Sequence, residues 1–206
     1  MFAIVESGSI TSMPNGNKGL EINGVKHPAS IFTLWTESER NAIGVYTIEI
    51  DNTNLKDEEY YINTDITYTF GSGKVTGTYG TATAKSLTDI TWTQKQIDDG
   101  DAPDGADTDT VAIEGLKTVL IRDIKKQAQS ELNRTDWYIT RKSEKDTAIP
   151  SSITTHRDAV RAKQTEMETA ITNASDTPAL ETLYTYTEQE DGSVTRPLGE
   201  LPTLED

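Results

Sequence analysis

Residues 111–150 read VAIEGLKTVLIRDIKKQAQSELNRTDWYITRKSEKDTAIP, and here the hydrophobic period becomes that of a helix. Leu116, Leu120, Ile124, Ala128, Leu132, Thr135 and Ile139 recur at steps of three and four. That spacing lines them along one narrow stripe and leaves the opposite side to Lys, Arg, Gln, Asp and Glu. Pro150 ends the run, since it cannot donate to the helical ladder and its ring clashes with the preceding turn. Ser151 and Ser152 then offer N-cap oxygens to a second helix with the stripe Ile153, Val160, Met167, Ala170, Ile171 and Ala174, which closes near Ser175-Asp176-Thr177-Pro178. Two helices with a short connection can join their stripes only when antiparallel. The spacing predicts a helical hairpin over 111–175.

Upstream, the periodicity is that of strands. Asn23-Gly24 sits between Leu20/Ile22 and Val25, and Asn-Gly supplies the positive φ angles of a tight hairpin turn. Thr36-Glu37-Ser38-Glu39 has the spacing of a capping box, in which the residues three apart satisfy each other's free backbone N–H groups, so a short helix is expected over 37–43. A strand follows through Val45 to Ile50. Ile62, Thr64, Ile66, Tyr68 and Phe70 alternate with Asn63, Asp65, Thr67 and Thr69, and Gly71-Ser72-Gly73 turns the chain into a strand carrying Val75, Gly77 and Tyr79.

Between the two regions, QIDDGDAPDGADTD (96–109) has no apolar period and contains six aspartates, which marks a solvated linker. After 175 the chain reads as an extended tail with one strand pair around Asp191-Gly192. Its isolated Leu198, Leu201 and Leu204, interrupted by Pro197 and Pro202, are expected to be covered by neighbouring subunits. The fold class is therefore α+β: a small antiparallel β-rich domain (1–95), an acidic linker (96–110), an antiparallel helical hairpin (111–175) and an extended C-terminal tail (176–206).

Composition limits the partners. Hydrophobic residues make up 34% and aromatics 7%, a thin core for 206 residues, and the 32 threonines suit exposed strand faces. A net charge of −15 repels phosphate backbones and anionic lipid surfaces, so neither nucleic acid nor a membrane is an expected partner. No stretch approaches the roughly 20 apolar residues of a membrane span, and the start, MFAIVESGSITSMP, lacks the basic and apolar regions of a signal peptide. The absence of cysteine removes disulfides and thiolate chemistry.

Reactive constellations are sparse. His27 and His156 are isolated and lack the converging ligands of a zinc or catalytic site. The aspartates of 98–109 miss the twelve-residue calcium loop that ends in Glu. GSGKVTGTYG runs from strand to strand, whereas a phosphate cradle opens a helix. Glu37/Glu39 and Asp57/Glu58/Glu59 are explained by capping and turns, with no aromatic sugar platform nearby. No catalytic residue, cofactor or metal is expected. Trp137 and Tyr138 are amphipathic groups near the hairpin tip, able to cover the helix seam or to meet a partner, and Arg141, Arg157 and Arg161 stand close in sequence to Glu144 and Asp158.

The run Arg134-Thr135-Asp136-Trp137-Tyr138-Ile139-Thr140-Arg141-Lys142-Ser143-Glu144, followed by Thr147-Ala148-Ile149-Pro150, Arg157 and Val160-Arg161, resembles a helical-hairpin module of tail and tail-fibre-associated proteins of tailed bacteriophages, tail-fibre assembly-like proteins included. The resemblance covers residues 111–172. The element W-x-x-x-E-R-N-A-I-G-V-Y (35–46) looks like part of the variable domain that precedes the module in many phage tail proteins. The resemblance implies a non-enzymatic structural component of the tail, at the baseplate, tail tip or fibre attachment, made in the host bacterial cytoplasm. It would act through contacts with other tail proteins in a multi-copy assembly. Trp137, Tyr138, Arg141, Arg157, Arg161, Leu198, Leu201 and Leu204 are the docking candidates. A tail-fibre assembly chaperone and a host-glycan-binding domain are the alternatives.

Overall fold

Three two-residue turns start the β-rich half. Ser7-Gly8, Asn23-Gly24 and Ser72-Gly73 each place two successive residues at positive φ, the geometry whose twist matches that of paired strands. They close the hairpins β1 (Phe2–Glu6) with β2 (Ser9–Ser12), β3 (Leu20–Ile22) with β4 (Val25–His27), and, further along, β7 (Ile66–Gly71) with β8 (Lys74–Tyr79). Between them lie α1 (Ile31–Leu34), α2 (Glu37–Ala42), β5 (Val45–Asp51) and β6 (Tyr61–Ile62). The computed structural model describes residues 1–204, which divide into two units, the first ending at Thr83 and the second starting at Ala84.

In the first unit a five-stranded sheet has the order β2-β1-β5-β8-β7. Its edge strands β2 and β7 approach each other, so the sheet is strongly curled. The alternation of β1 sends side chains into two cores. Phe2 and Ile4 meet Ile22, Ile31, Phe32 and Val45 under α1, while Ala3 and Val5 join Ile48, Val75, Tyr68 and Phe70 on the other face. That inner face is tight at Gly77, where an added Cβ would stand 2.8 Å from the Tyr68 ring and 2.9 Å from Ile50 and Ile66.

The mixed α+β architecture is the expected one, with two changes inside the sheet. β5 and β8 run parallel, from Ile48 opposite Val75 to Asp51 opposite Thr78, so the sheet is not wholly antiparallel. The segment after Asp51 crosses over before the β7–β8 hairpin forms, and that reverses the direction in which β8 returns. The alternating run from Ile62 to Phe70 is also interrupted. The Asn63 amide bonds both the N–H and the C=O of Lys56, and Thr64 Oγ1 accepts from Gly80 N–H, which leaves β7 to begin at Ile66. The Thr36/Glu39 capping box forms with both halves present.

After β9 (Thr83–Ala84), the second unit comprises β10 (Ile90–Thr91), α3 (Gln94–Asp98), β11 (Val111–Ile113), α4 (Leu116–Asn133), α5 (Asp136–Lys145), α6 (Ser151–Asn173), α7 (Thr177–Tyr184), β12 (Thr187–Glu188) and β13 (Val194–Thr195). Residues 96–110 do not form a linker between units. β10 and β11 pair across their base, and a second capping box, Thr93 with Gln96, starts α3, so the acidic stretch is a closed loop of this unit. α4 and α6 pack antiparallel: Lys117 at the start of α4 reaches the Thr172 carbonyl at the end of α6, and Arg157 near the start of α6 reaches the Leu132 carbonyl. Leu116, Leu120, Ile124 and Ala128 are buried on α4, and Ile153, Val160, Met167 and Ile171 on α6. Pro150, not a serine, occupies the N-cap of α6.

Threonine serves these helices as well as the strands. Thr165, Thr169 and Thr172 on α6, and Thr182 on α7, each donate to the carbonyl four residues back, which satisfies the hydroxyl without a strand face.

The tail is not extended throughout. Asp176 caps α7 by accepting from Ala179 N–H, the Asp191-Gly192 turn closes the expected β12–β13 pair, and Leu198 is 1% exposed, its N–H bonded to the Leu183 carbonyl. Leu198 is therefore core in its own chain, because α7 supplies the apolar wall that an extended tail would lack.

Candidate interaction surface

The single helix expected to run to Pro150 is broken at Arg134-Thr135, and the break builds the site. Thr135 is fully buried and donates its hydroxyl to the Leu132 carbonyl at 2.9 Å. Its other face accepts from Arg157 Nη1 at 2.6 Å, and the same nitrogen lies 2.8 Å from the Leu132 carbonyl and 2.9 Å from Asp136 Oδ1. One guanidinium thus joins the Leu132 carbonyl at the end of α4, which also accepts from the Arg134 and Thr135 N–H groups, to the carboxylate in the first turn of α5, where a negative charge suits the helix N-terminus. Arg157 is 8% exposed, so it is an interior brace and not a docking residue.

Held in this way, α5 buries none of its own residues. Trp137 is 51% exposed and Ile139 is exposed beside it. The Trp137 and Tyr138 rings lie 3.9 Å apart between centroids, and the Arg141 guanidinium stands 4.6 Å from the first and 5.2 Å from the second. Arg141 Nε is buried without a hydrogen-bond partner. Among the described residues six of the seven arginines donate to an oxygen, and Arg141 is the exception. Arg161 pairs with Asp158 on its own helix, Glu144 has no bond to Arg141, and Arg157–Asp136 is an ion pair that joins α5 to α6.

Beside the brace lies a second polar cluster. Glu131 accepts from both sides of its carboxylate: from Arg134 at 3.1 Å and from the backbone N–H of Leu204 at 2.9 Å, with His156 Nε2 3.1 Å away. Burial raises the Glu131 carboxyl, but the Leu204 amide and Arg134, helped by His156, outweigh it and hold the pKa below the ordinary carboxylate value. Leu201 and Leu204 are half-buried in this region of the chain. His27 packs edge-on against Trp35, 5.8 Å between ring centroids.

Among the described residues no group of three His, Asp or Glu side chains gathers as a metal cluster, and no helix is long and apolar enough to cross a membrane. Asp107 spends its carboxylate on Thr110 and on the Asp109 N–H, which holds its pKa down.

Of the docking candidates, the structure brings Trp137, Tyr138 and Arg141 together on α5, leaves Arg161 apart on α6, and takes Arg157 and Leu198 inside. By sequence Arg157 is a docking candidate able to pair across the hairpin with Glu144 or Asp158, but it stands at the helical step between Ile153 and Val160, faces α4 and pairs with Asp136. Comparison of the chain with protein-family models, with curated proteins and with solved structures finds no match.

Proposed function

We propose that the chain is a non-enzymatic structural component of a bacteriophage tail, at the baseplate, tail tip or fibre attachment, working through contacts with other tail proteins. The resemblance of 111–172 to the hairpin module of such proteins supplies the setting. The observation that carries the contact role is α5: a ten-residue helix with no buried residue, fixed by an interior arginine, that exposes half of an indole beside a guanidinium without an acidic partner. Exposed Trp, Tyr and Arg are the residue types that dominate binding energy at protein interfaces. Held together on a braced helix, they cost little further ordering when a partner binds.

Mass spectrometry of purified particles of the phage that encodes the chain tests this reading. The chain is expected in fixed stoichiometry with the other tail proteins, and Trp137→Ala in the phage gene is expected to reduce its incorporation. Absence from finished particles, combined with failed tail assembly when the gene is removed, would overturn the structural role in favour of an assembly chaperone.

A further inference from the structure

Arg141 and the acidic loop carry complementary chemistry, and among the described residues no bond joins them in one chain. The loop springs from the β10–β11 base beside the start of α4, while α5 begins at the end of α4. The 18 residues of α4, about 27 Å long, separate the base of the loop from the start of α5. Around α5, residues 134–145 carry four basic side chains against two acidic ones, in a chain whose net charge is −15. The loop has the opposite character: Asp101, Asp104 and Asp109 are exposed, and their carboxylates have no hydrogen bond or ion pair among the described residues.

We infer that the Trp137–Tyr138–Arg141 surface docks the Asp101-Ala102-Pro103-Asp104 turn of a second copy of this chain. Pro103 is exposed between the two free carboxylates. Its rigid apolar ring can lie on the Trp137 indole while a flanking carboxylate reaches the Arg141 guanidinium, which is the chemistry that an exposed aromatic–arginine cluster accepts. The contact joins different surfaces of the two copies, so it is head-to-tail and builds a ring or an open filament according to the rotation it imposes. Copies of net charge −15 repel at long range, and physiological salt screens that repulsion beyond about 8 Å while leaving a close Arg–Asp contact in place. This inference rests on the contact role proposed for α5 and names its partner.

Sedimentation velocity of the isolated full chain at physiological salt, over a range of concentrations, is the test. Self-association is expected for the parent, and Arg141→Asp or the pair Asp101→Arg and Asp104→Arg should each weaken it by roughly tenfold or more, the scale of one lost charged contact in an interface. Mixing the two variants should restore association, because each contact between unlike copies recreates an opposite-charge pair. Circular dichroism melts keep a folding defect distinct from a lost contact. A parent chain that stays monomeric at every concentration overturns the inference, as does association that both variants leave unchanged. A monomeric parent that is still present in particles defeats only this inference, and self-association by a chain absent from particles defeats only the tail reading.

Discussion

Arg157 Nη1 lies 2.9 Å from Asp136 Oδ1, and through that contact an interior side chain of α6 fixes the first turn of an exposed helix. The same nitrogen bonds the Thr135 hydroxyl oxygen and the Leu132 carbonyl, so removing the guanidinium takes a donor from the buried Thr135 oxygen and from the Asp136 carboxylate, while the Leu132 carbonyl keeps its bonds from the Thr135 hydroxyl and N–H.

Arg157→Met keeps much of the apolar stem and deletes the donors. The expected loss of folding stability is about 2 to 4 kcal/mol, the range for breaking a buried charged network on one side. Urea unfolding followed by circular dichroism measures it. A loss within experimental error would show that the brace is dispensable.

This brace marks where the sequence stops being a guide. The Thr36/Glu39 box, the Asn23-Gly24 turn, the alternation of Ile66, Tyr68 and Phe70, and the stripes of α4 and α6 are local patterns, and each is found where its residues put it. The break after Asn133 has no local signal, because Thr135 and Ile139 keep the helical step, and a side chain from α6 decides it. The parallel pairing of β5 with β8 is likewise a choice of distant partner. α7 was legible in principle: Asp176 followed by Thr177-Pro178 is an N-cap with proline in the first turn, ahead of Leu180 and Leu183. At the site, the residue types of Trp137, Tyr138 and Arg141 were legible and their mutual stacking was not.

Trp137→Ala tests the division of labour on α5. The indole is half exposed and α5 buries nothing, so stability should change by less than about 1 kcal/mol, as for a surface substitution. A thermal melt lowered well beyond that range would reassign Trp137 to the core of the hairpin.

Glu131 gives the second unit a defined response to acid. Its pKa is held below the ordinary carboxylate value of 4.5, so its contribution is fully present above that value and is lost as the pH falls through the lower folded-state value. Asp51, Asp89, Asp107 and Asp191 are also held down and lose stability over the same range, so the informative quantity is a difference. Urea unfolding of the parent and of Glu131→Gln, compared between about pH 6 and pH 3, should show a gap in favour of the parent at the upper end that closes toward the lower end. A gap that does not change with pH would mean that the carboxylate charge is not what holds Arg134 and the Leu204 amide.

Leu198 decides whether the C-terminal segment belongs to this chain's own fold or waits for a neighbour. The side chain is 1% exposed, its N–H is bonded to the Leu183 carbonyl, and the Leu204 N–H is bonded to Glu131 on α4, so both ends of the segment 198–204 are tied to the second unit. Burying one leucine side chain is worth about 1.5 to 3 kcal/mol by transfer, and truncating it adds the cost of the cavity left behind. Leu198→Ala is therefore expected to destabilise the isolated chain by about 2 to 5 kcal/mol. Deleting residues 197–206 should lower its melting temperature too. Hydrogen exchange on the isolated chain should find the Leu198 and Leu204 amides protected, and the Glu131→Ala variant should release the second but not the first. Free exchange at Leu198 together with unchanged melting of the truncated chain would show that the segment is ordered only by another subunit.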